Sequence, residues 1–522
     1  MARDWPVGER QALDGRSLTP ERVHHIAVRG DQAHLTRRAQ ERNREAGALA
    51  RDLLERGVSV YGRNTGVGAL LNQQVYESDA SHHSLRLLRS HAGGVGPLAD
   101  PAVARAMLVV RANQLGAGGA GVDPRLHRAL VQALNAGLAP AVHQLGSVGT
   151  GDLTALAELG LALVGEGRWL SDDPPMREAA GTRPPAPQSI DHGDAIALIS
   201  SNAFTLGEAA LACHQLQGVL ADAQIVAAMS FIAAQGNPSI FDQRVHSARP
   251  HAGQIAVAAA MREIVADATE PRRLQDPLCY RCIPQVQGAA HDVVADLNRV
   301  LRVELNAAAE NPLLDVATGR ALANGNFHMS RLALALDQVR SGLVQAGSLA
   351  VQRVSTLFDG NITGLPPFLA GHTDGSSGGM ILEYTANAAL EDLRSTATPV
   401  TLSNSVVSQG QENHASGAPL AARQLTRALE HYLTIAGVEL VTAVRALRLS
   451  GRRPTSVEGL AAFDRVHHAL PTHMEDRQLS EDLELAAALL RSGDLTAQAG
   501  QQPGSAPRSS AGGAEPTVVG SA

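Results

Sequence analysis

The stretch Gly146-Ser147-Val148-Gly149-Thr150-Gly151-Asp152-Leu153 combines three glycines, two small hydroxyl residues and one acid. It runs directly into the Ala/Leu-rich segment Thr154 to Leu163. Glycine reaches backbone conformations closed to other residues and lets chain segments approach closely. Gly-Asp ahead of an apolar run at helical spacing reads as a helix start, with Asp152 at or near the N-cap. On these residues alone the segment is a tight turn feeding a buried helix.

The chain around it has 522 residues, enough for one very large core or several domains. Aromatic residues make up only 3%, while Ala and Leu dominate, so helices are expected over sheets. The net charge of -7 comes from interspersed acids and bases. No basic stripe points to nucleic acid, and no polybasic run points to a membrane surface. No run of about 18 uncharged apolar residues predicts a membrane span. The N-terminal Met1-Ala2-Arg3-Asp4-Trp5-Pro6 lacks the apolar segment of a secretory signal. Three cysteines cannot form a disulfide framework, which predicts a reduced, cytoplasmic setting. Cys279 and Cys282 form a lone C-x-x-C, expected as two free thiols. No metal site is expected: the pairs His24-His25, His82-His83 and His467-His468 are adjacent residues that point in different directions on a helix.

Thr19-Pro20 reads as a helix start, with Thr19 as N-cap. Val58-Ser59-Val60-Tyr61-Gly62 is a short β-like run ending in a turn. Gly116 to Gly121 satisfies G-x-G-x-x-G, but Val103, Met107 and Val110 before it recur at helical spacing. That excludes the strand–turn–helix frame of a nucleotide site, so a helix-ending glycine loop is expected. Prolines 174, 175, 184, 185 and 187 mark residues 172–191 as a linker. Leu332, Leu336, Val339 and Leu343 predict an amphipathic helix, and Leu429, Leu433, Ala436, Leu440 and Leu447 a second long one. The Gly/Ser/Ala/Pro-rich tail 497–522 is expected to be disordered.

Several segments, in order, resemble motifs of the histidine/phenylalanine ammonia-lyase family. The opening stretch is similar to the family's G-S-x-G-A-S-G-D-L, one residue shorter. There an Ala-Ser-Gly triad cyclises and dehydrates to an electrophilic methylidene-imidazolone. Tyr61-Gly62-Arg63-Asn64-Thr65-Gly66-Val67-Gly68 resembles Y-G-x-N-T-G-F-G, and Ser90-His91-Ala92-Gly93-Gly94-Val95-Gly96 resembles S-H-A-A-G-x-G. Ala195 to Asn202 is similar to L-A-L-L-N-G-T, with Ser200 in register with the family's Asn and Asn202 two places on. Gln275-Asp276-Pro277-Leu278-Cys279-Tyr280-Arg281-Cys282 resembles Q-D-P-Y-S-x-R-C, with Leu278 at the family's second tyrosine. Glu304-Leu305-Asn306, Glu310-Asn311-Pro312-Leu313, Asn324 to His328, Leu365 to Leu369 and Gln411-Glu412-Asn413-His414 complete the series, which covers roughly residues 15–495.

The resemblance implies a mainly α fold, an ammonia-lyase-like (fumarase/aspartase-like) bundle of long helices. Residues 1–200 would form a smaller N-terminal domain with the active-site loops, and 201–496 the central and C-terminal bundle. It implies a homotetramer with shared active sites and an amino-acid-like small-molecule substrate, with no nucleic acid or membrane partner. The implied roles are Tyr61 as base for the β-proton, Arg281 on the carboxylate, Phe327 beneath the prosthetic group and Glu412 facing the ring or amine. His91, Ser200, Asn202 and Gln275 complete the substrate site, and His91 with Glu412 favours an imidazole-like ring over phenyl. Neither a metal nor a nucleotide is implied.

Gly149-Thr150-Gly151 leaves two expectations open. Thr150 dehydrates to a more hindered analogue of the prosthetic group, giving ammonia elimination, or amine addition or shift, on histidine or a related amino acid. Alternatively no ring forms, and the scaffold carries redirected acid–base chemistry through Tyr61 or serves as a non-catalytic binding protein.

Overall fold

The computed structural model describes residues 10–76, 80–171, 184–266, 270–372, 375–493 and 495. The first part of the expected linker and the expected disordered tail lie outside these residues, whereas 184–191 carry no helix or strand. The helices that build the frame and the site are α1 (Arg37–Glu55), α2 (Ala80–His91), α3 (Pro101–Leu115), α4 (Leu153–Val164) and α5 (Asp194–Ile199). They continue with α6 (Ala203–Ala233), α7 (Ile283–Glu304), α8 (Ser330–Phe358), α9 (Met380–Thr396) and α10 (Ala418–Ser450).

Local chemistry sets many of the helix starts. Thr19 accepts a hydrogen bond from the Arg22 N–H at 3.3 Å, with Pro20 as first helical residue. Thr36 caps α1 and Asp100 caps α3 in the same way. Both leucine stripes are helical: Leu332, Leu336, Val339 and Leu343 are buried in α8, and Leu429, Leu433, Ala436, Leu440 and Leu447 in α10. The strand content among the described residues is four two-stranded ribbons. The β-like run at Val58–Tyr61 forms no strand. The Val60 N–H is taken by Asn64 Oδ1 at 2.7 Å, which closes a turn and removes the donor a ladder would use.

α6, with 31 residues, is apolar on every face because neighbours surround it. The apolar span Asp194–Ala233 is long enough to cross a membrane by composition, yet its most apolar window is 83% buried inside this bundle. At the crossing of α6, α8 and α10, Glu439 accepts from Arg353 Nε at 2.6 Å and Nη2 at 2.8 Å, and from Ser230 Oγ at 2.8 Å. All three residues are buried, so the pair fixes how the long helices register against one another. The glycine-rich 116–121 follows α3 as a loop with no preceding strand, in agreement with its reading as a helix end. Cys213, Cys279 and Cys282 are all free thiols.

Candidate active site

The loop 146–152 is held from three sides. Its far end is tied to the turn after α5, where the Asp152 N–H donates to the Ser201 carbonyl at 2.7 Å. Asp152 sits at the N-cap of α4, but its carboxylate does not cap that helix. It reaches α6 instead, accepting from the Thr205 N–H at 2.7 Å and Oγ1 at 2.9 Å. Burial pushes its pKa up to about 6, against the pull of these bonds. The near end docks on the start of α10: Gly417 N–H donates to the Val148 carbonyl at 3.1 Å, and Ser416 Oγ to the Gly149 carbonyl at 2.9 Å.

This loop forms one wall of a cavity of about 540 Å³, a size that suits a small ligand. Tyr61, His91, Thr150, Gly151, Ser200, Phe327 and Glu412 all line it, drawn from six separate stretches of sequence. Leu70, Leu153, Ile196 and Ile199 supply apolar walls. Glu412 is the only carboxylate among the lining residues, and none of them is arginine or lysine.

Each wall is braced from behind. Fully buried Arg111 pairs with Glu310 Oε1 at 2.9 Å and donates to the Leu198 carbonyl at 2.9 Å. It thereby pins the end of α5 to the segment carrying Asn311, whose N–H donates to Ser200 Oγ at 3.0 Å. His328 Nε2 and His414 Nδ1 lie 2.8 Å apart, joining the Phe327 segment to the Glu412 segment. His91 ends α2 with Nδ1 at 2.9 Å from the Leu87 carbonyl. A carbonyl only accepts, so Nδ1 holds the proton of the neutral ring and Nε2 is the basic nitrogen.

The Tyr61 hydroxyl accepts from the Gly68 N–H at 2.6 Å. Burial raises its pKa above the ordinary value, Gly68 opposes this, and the negative charge of Glu412 raises it further. The loop carrying Gly68 is latched to Ser408, whose Oγ accepts from the Ala69 N–H at 3.1 Å. Gly68 has φ +55°, and a Cβ there would fall 2.4 Å from Ser408 Oγ, so only glycine fits. Ser408 and Gln409 themselves hold φ of +53° and +54°, backbone strain concentrated at the cavity rim.

Four expected residues do not line this cavity. Gly149 is buried behind Thr150 against Ser416. Asn202 stands at the N-cap of α6, buried, and its Nδ2 donates to the Phe327 carbonyl at 2.7 Å while its Oδ1 has no partner. Its placement is that of a support for Phe327, because the turn after α5 presents Ser200 and Ser201 to the cavity instead. Gln275 and Arg281 line a second cleft with Asn237, Ile240, Val245 and Leu274. Within one chain, then, Arg281, the arginine expected to hold a carboxylate, is not in the cavity with Tyr61. Tyr280 is fully buried and bonded to Thr356 Oγ1 at 3.0 Å, while Leu278 is 63% exposed. Ser408 and Gln409 line the cavity outside every motif, whereas Val67, Gly68, Ser201, Asn311 and Gln411 line it from inside the Tyr61–Gly68, Ala195–Asn202, Glu310–Leu313 and Gln411–His414 segments.

The triad residues do not fit the methylidene-imidazolone. In the family its first residue is alanine, and a Cβ at Gly149, where φ is +103°, would lie 2.2 Å from Ser416 Oγ and 2.9 Å from Gly417 N. The ring's exocyclic carbon derives from a serine hydroxymethyl, and Thr150 puts a methyl on that carbon. Ring closure would consume the Gly149 carbonyl, which Ser416 holds in a hydrogen bond.

Comparison with known proteins agrees with the fold and the motif order. The family model for aromatic amino acid lyases matches residues 18–469. The chain is 32% identical over 491 residues to a probable histidine ammonia-lyase of Thermoplasma volcanium, covering 92% of this chain and 99% of that protein. Its structure resembles that of ergothionase, an ergothioneine-degrading enzyme from Treponema denticola, with a TM-score of 0.87 at 25% identity over 94% of this chain and 100% of that one. Histidine ammonia-lyase from Trypanosoma cruzi gives a TM-score of 0.85 at 29% identity, covering 93% and 94% of the two chains. The chain belongs to the aromatic amino acid lyase family, and it is a carbon–nitrogen lyase.

Proposed function

We propose that this enzyme eliminates the α-amine of histidine or a closely related amino acid, an ammonia-lyase-type reaction. The observation that carries the reading is the convergence of Tyr61, His91, Phe327 and Glu412 on one cavity. Elimination across Cα–Cβ needs a positioned base for a barely acidic β-hydrogen and help for a poor leaving group. Tyr61 is the base, its phenolate taking the β-proton. His91 offers a basic nitrogen to the N–H of an imidazole ring, and Glu412 attracts the amine.

Arg281 enters from a neighbouring subunit of a homotetramer, where its guanidinium fork holds the substrate carboxylate in two parallel bonds. Exposed apolar side chains at both places support this assembly: Leu70 in the cavity wall, and Val245 and Leu274 in the cleft with Arg281. The division into 1–200 and 201–496 then has a purpose, the first part presenting loops and the second assembling the bundle. The free thiols accord with a reducing, cytoplasmic setting. The loop at Thr150 stays an open peptide in this reading; a Thr-derived ring is the alternative.

The test is elimination from histidine and its close relatives, followed by the near-ultraviolet absorbance of the conjugated acrylate product. Wild type forms the product and Tyr61→Phe does not. Mixed assembly checks the shared site: co-expressed Tyr61→Phe and Arg281→Met chains recover activity that neither variant has alone. Equal product formation by wild type and Tyr61→Phe would refute the assignment.

A further inference from the structure

The start of α10 holds the Gly149 loop; its other end lies about 50 Å away, by the rise of its 33 residues, and borders a separate cavity of about 340 Å³. Arg448, Arg452, Arg453, Phe463 and His467 line this cavity, and no Asp or Glu does. Arg448 builds the frame. It donates through Nη1 to the Pro471 carbonyl at 2.7 Å and through Nη2 to the His467 and Leu470 carbonyls at 2.6 and 3.0 Å. Its Nε donates to His467 Nδ1 at 3.0 Å, so Nδ1 accepts and the neutral imidazole carries its proton on Nε2. Arg452 spends Nη1 on the Ala233 carbonyl, at the end of α6, at 3.3 Å. The Arg453 guanidinium lies 5.7 Å from the centroid of the Phe463 ring, and its nearest carboxylate, Asp464, stands at 3.8 Å, too long for a hydrogen bond. Asp482, the next acid near Arg448, is held by both Nη atoms of Arg477 at 2.8 and 2.6 Å.

The charges at this corner do not cancel. Three guanidinium charges meet one half-exposed carboxylate and the C-termini of α6 and α10, each worth about half a negative charge, so roughly one positive charge is left over. The walls of a cleft focus such an excess. Burial lowers the Arg452 pKa and Arg272 lowers it further; burial lowers that of His467, and Arg448, His468 and Arg453 add to the effect. Each cation here makes its neighbour more costly, a repulsion that an anion would relieve. We propose that this cavity is a binding site for a doubly charged oxyanion, phosphate either free or as the monoester of a small metabolite. Arg452 and Arg453 keep most of their N–H groups uncommitted among the described residues, and a guanidinium fork matches two phosphate oxygens in parallel bonds. The volume suits a phosphate with a few carbons attached and is at the small end for ligand sites. A dianion also draws about twice as much as a monocarboxylate from the same excess charge.

The test is isothermal titration of the full-length protein with inorganic phosphate and with methyl phosphate, ionic strength being held constant with sodium chloride. The expected result is saturable binding, one anion per chain, with a Kd of about 1 mM or tighter. Arg452→Met and Arg453→Met each weaken it by about tenfold or more, while circular dichroism shows an unchanged fold. Arg453 is well exposed, so its variant keeps the fold even if Arg452→Met does not. Tyr61→Phe binds the anion as wild type does, which separates this site from the cavity at Thr150. Tighter binding of the monoester names a phosphorylated metabolite as the occupant and tighter binding of phosphate names the free ion; either supports the proposal. No saturable binding, or a Kd unchanged in Arg453→Met, overturns it and leaves the lyase reading untouched.

Discussion

Replacing Gly149 by alanine restores the residue type that the family carries at the first triad position, and the structure predicts that it does harm. Gly149 has φ +103°, where a side-chain-bearing residue pays on the order of 1–3 kcal/mol in backbone strain. The new Cβ would lie 2.2 Å from Ser416 Oγ and 2.9 Å from Gly417 N, far inside ordinary contact. Ser416 is buried and bonded to the Gly149 carbonyl, so it cannot simply rotate away, and overpacking adds about 1–3 kcal/mol. Gly149→Ala is therefore expected to lose about 2–6 kcal/mol, read as a shift in the chemical-denaturation midpoint. Ser416→Ala removes the nearer obstacle, so the double variant should regain about 0.5–3 kcal/mol relative to additivity. The gain stops short of full recovery because Gly417 N and the backbone strain remain. A Gly149→Ala protein within about 0.5 kcal/mol of wild type, or perfect additivity with Ser416→Ala, would refute the packing argument.

Tyr61→Phe should cut kcat/KM for elimination by about 10²–10⁴, while the lost bond from the Gly68 N–H costs only about 0.5–1.5 kcal/mol, read from the denaturation midpoint. Arg353→Met strands the buried Glu439 carboxylate and should destabilise by about 3–5 kcal/mol, seen in the same denaturation experiment. Asp152 has its pKa raised from 3.8 to about 6, so the folded protein keeps a proton that the unfolded chain loses between those values. Its contribution is full below about pH 4 and is lost as pH rises to about 6. Wild type should therefore lose up to roughly 3 kcal/mol relative to Asp152→Asn across that window; parallel pH profiles for the two proteins would contradict the burial argument.

The bundle was legible because its signals are periodic: Leu332 to Leu343 and Leu429 to Leu447 each write one buried helix face, and both helices are there. The cavity residues Tyr61, His91, Phe327 and Glu412 were legible because they sit inside motifs whose order survives. Register was harder. Asn202 lies two places from Ser200, and on a helix cap that offset turns one side chain to the cavity and the other to the Phe327 carbonyl. Ser408 and Gln409 gave no signal, because left-handed backbone at a non-glycine residue is imposed by surrounding contacts and leaves no compositional trace. The contact between Ser416 and Gly149 joins residues 267 positions apart, and no local pattern encodes it. Arg281 matched its motif, yet the chain puts it in another cleft, because the order of motifs along a chain does not fix which side chains share a cavity.

Elimination is expected to proceed here beside an unmodified loop. The most direct measurement is the intact mass of the purified enzyme in the same preparation that shows turnover. The expected result is the full mass encoded by the sequence together with acrylate formation. An active protein lighter by two water molecules, with the loss mapped to the peptide containing Gly149-Thr150-Gly151, would contradict it.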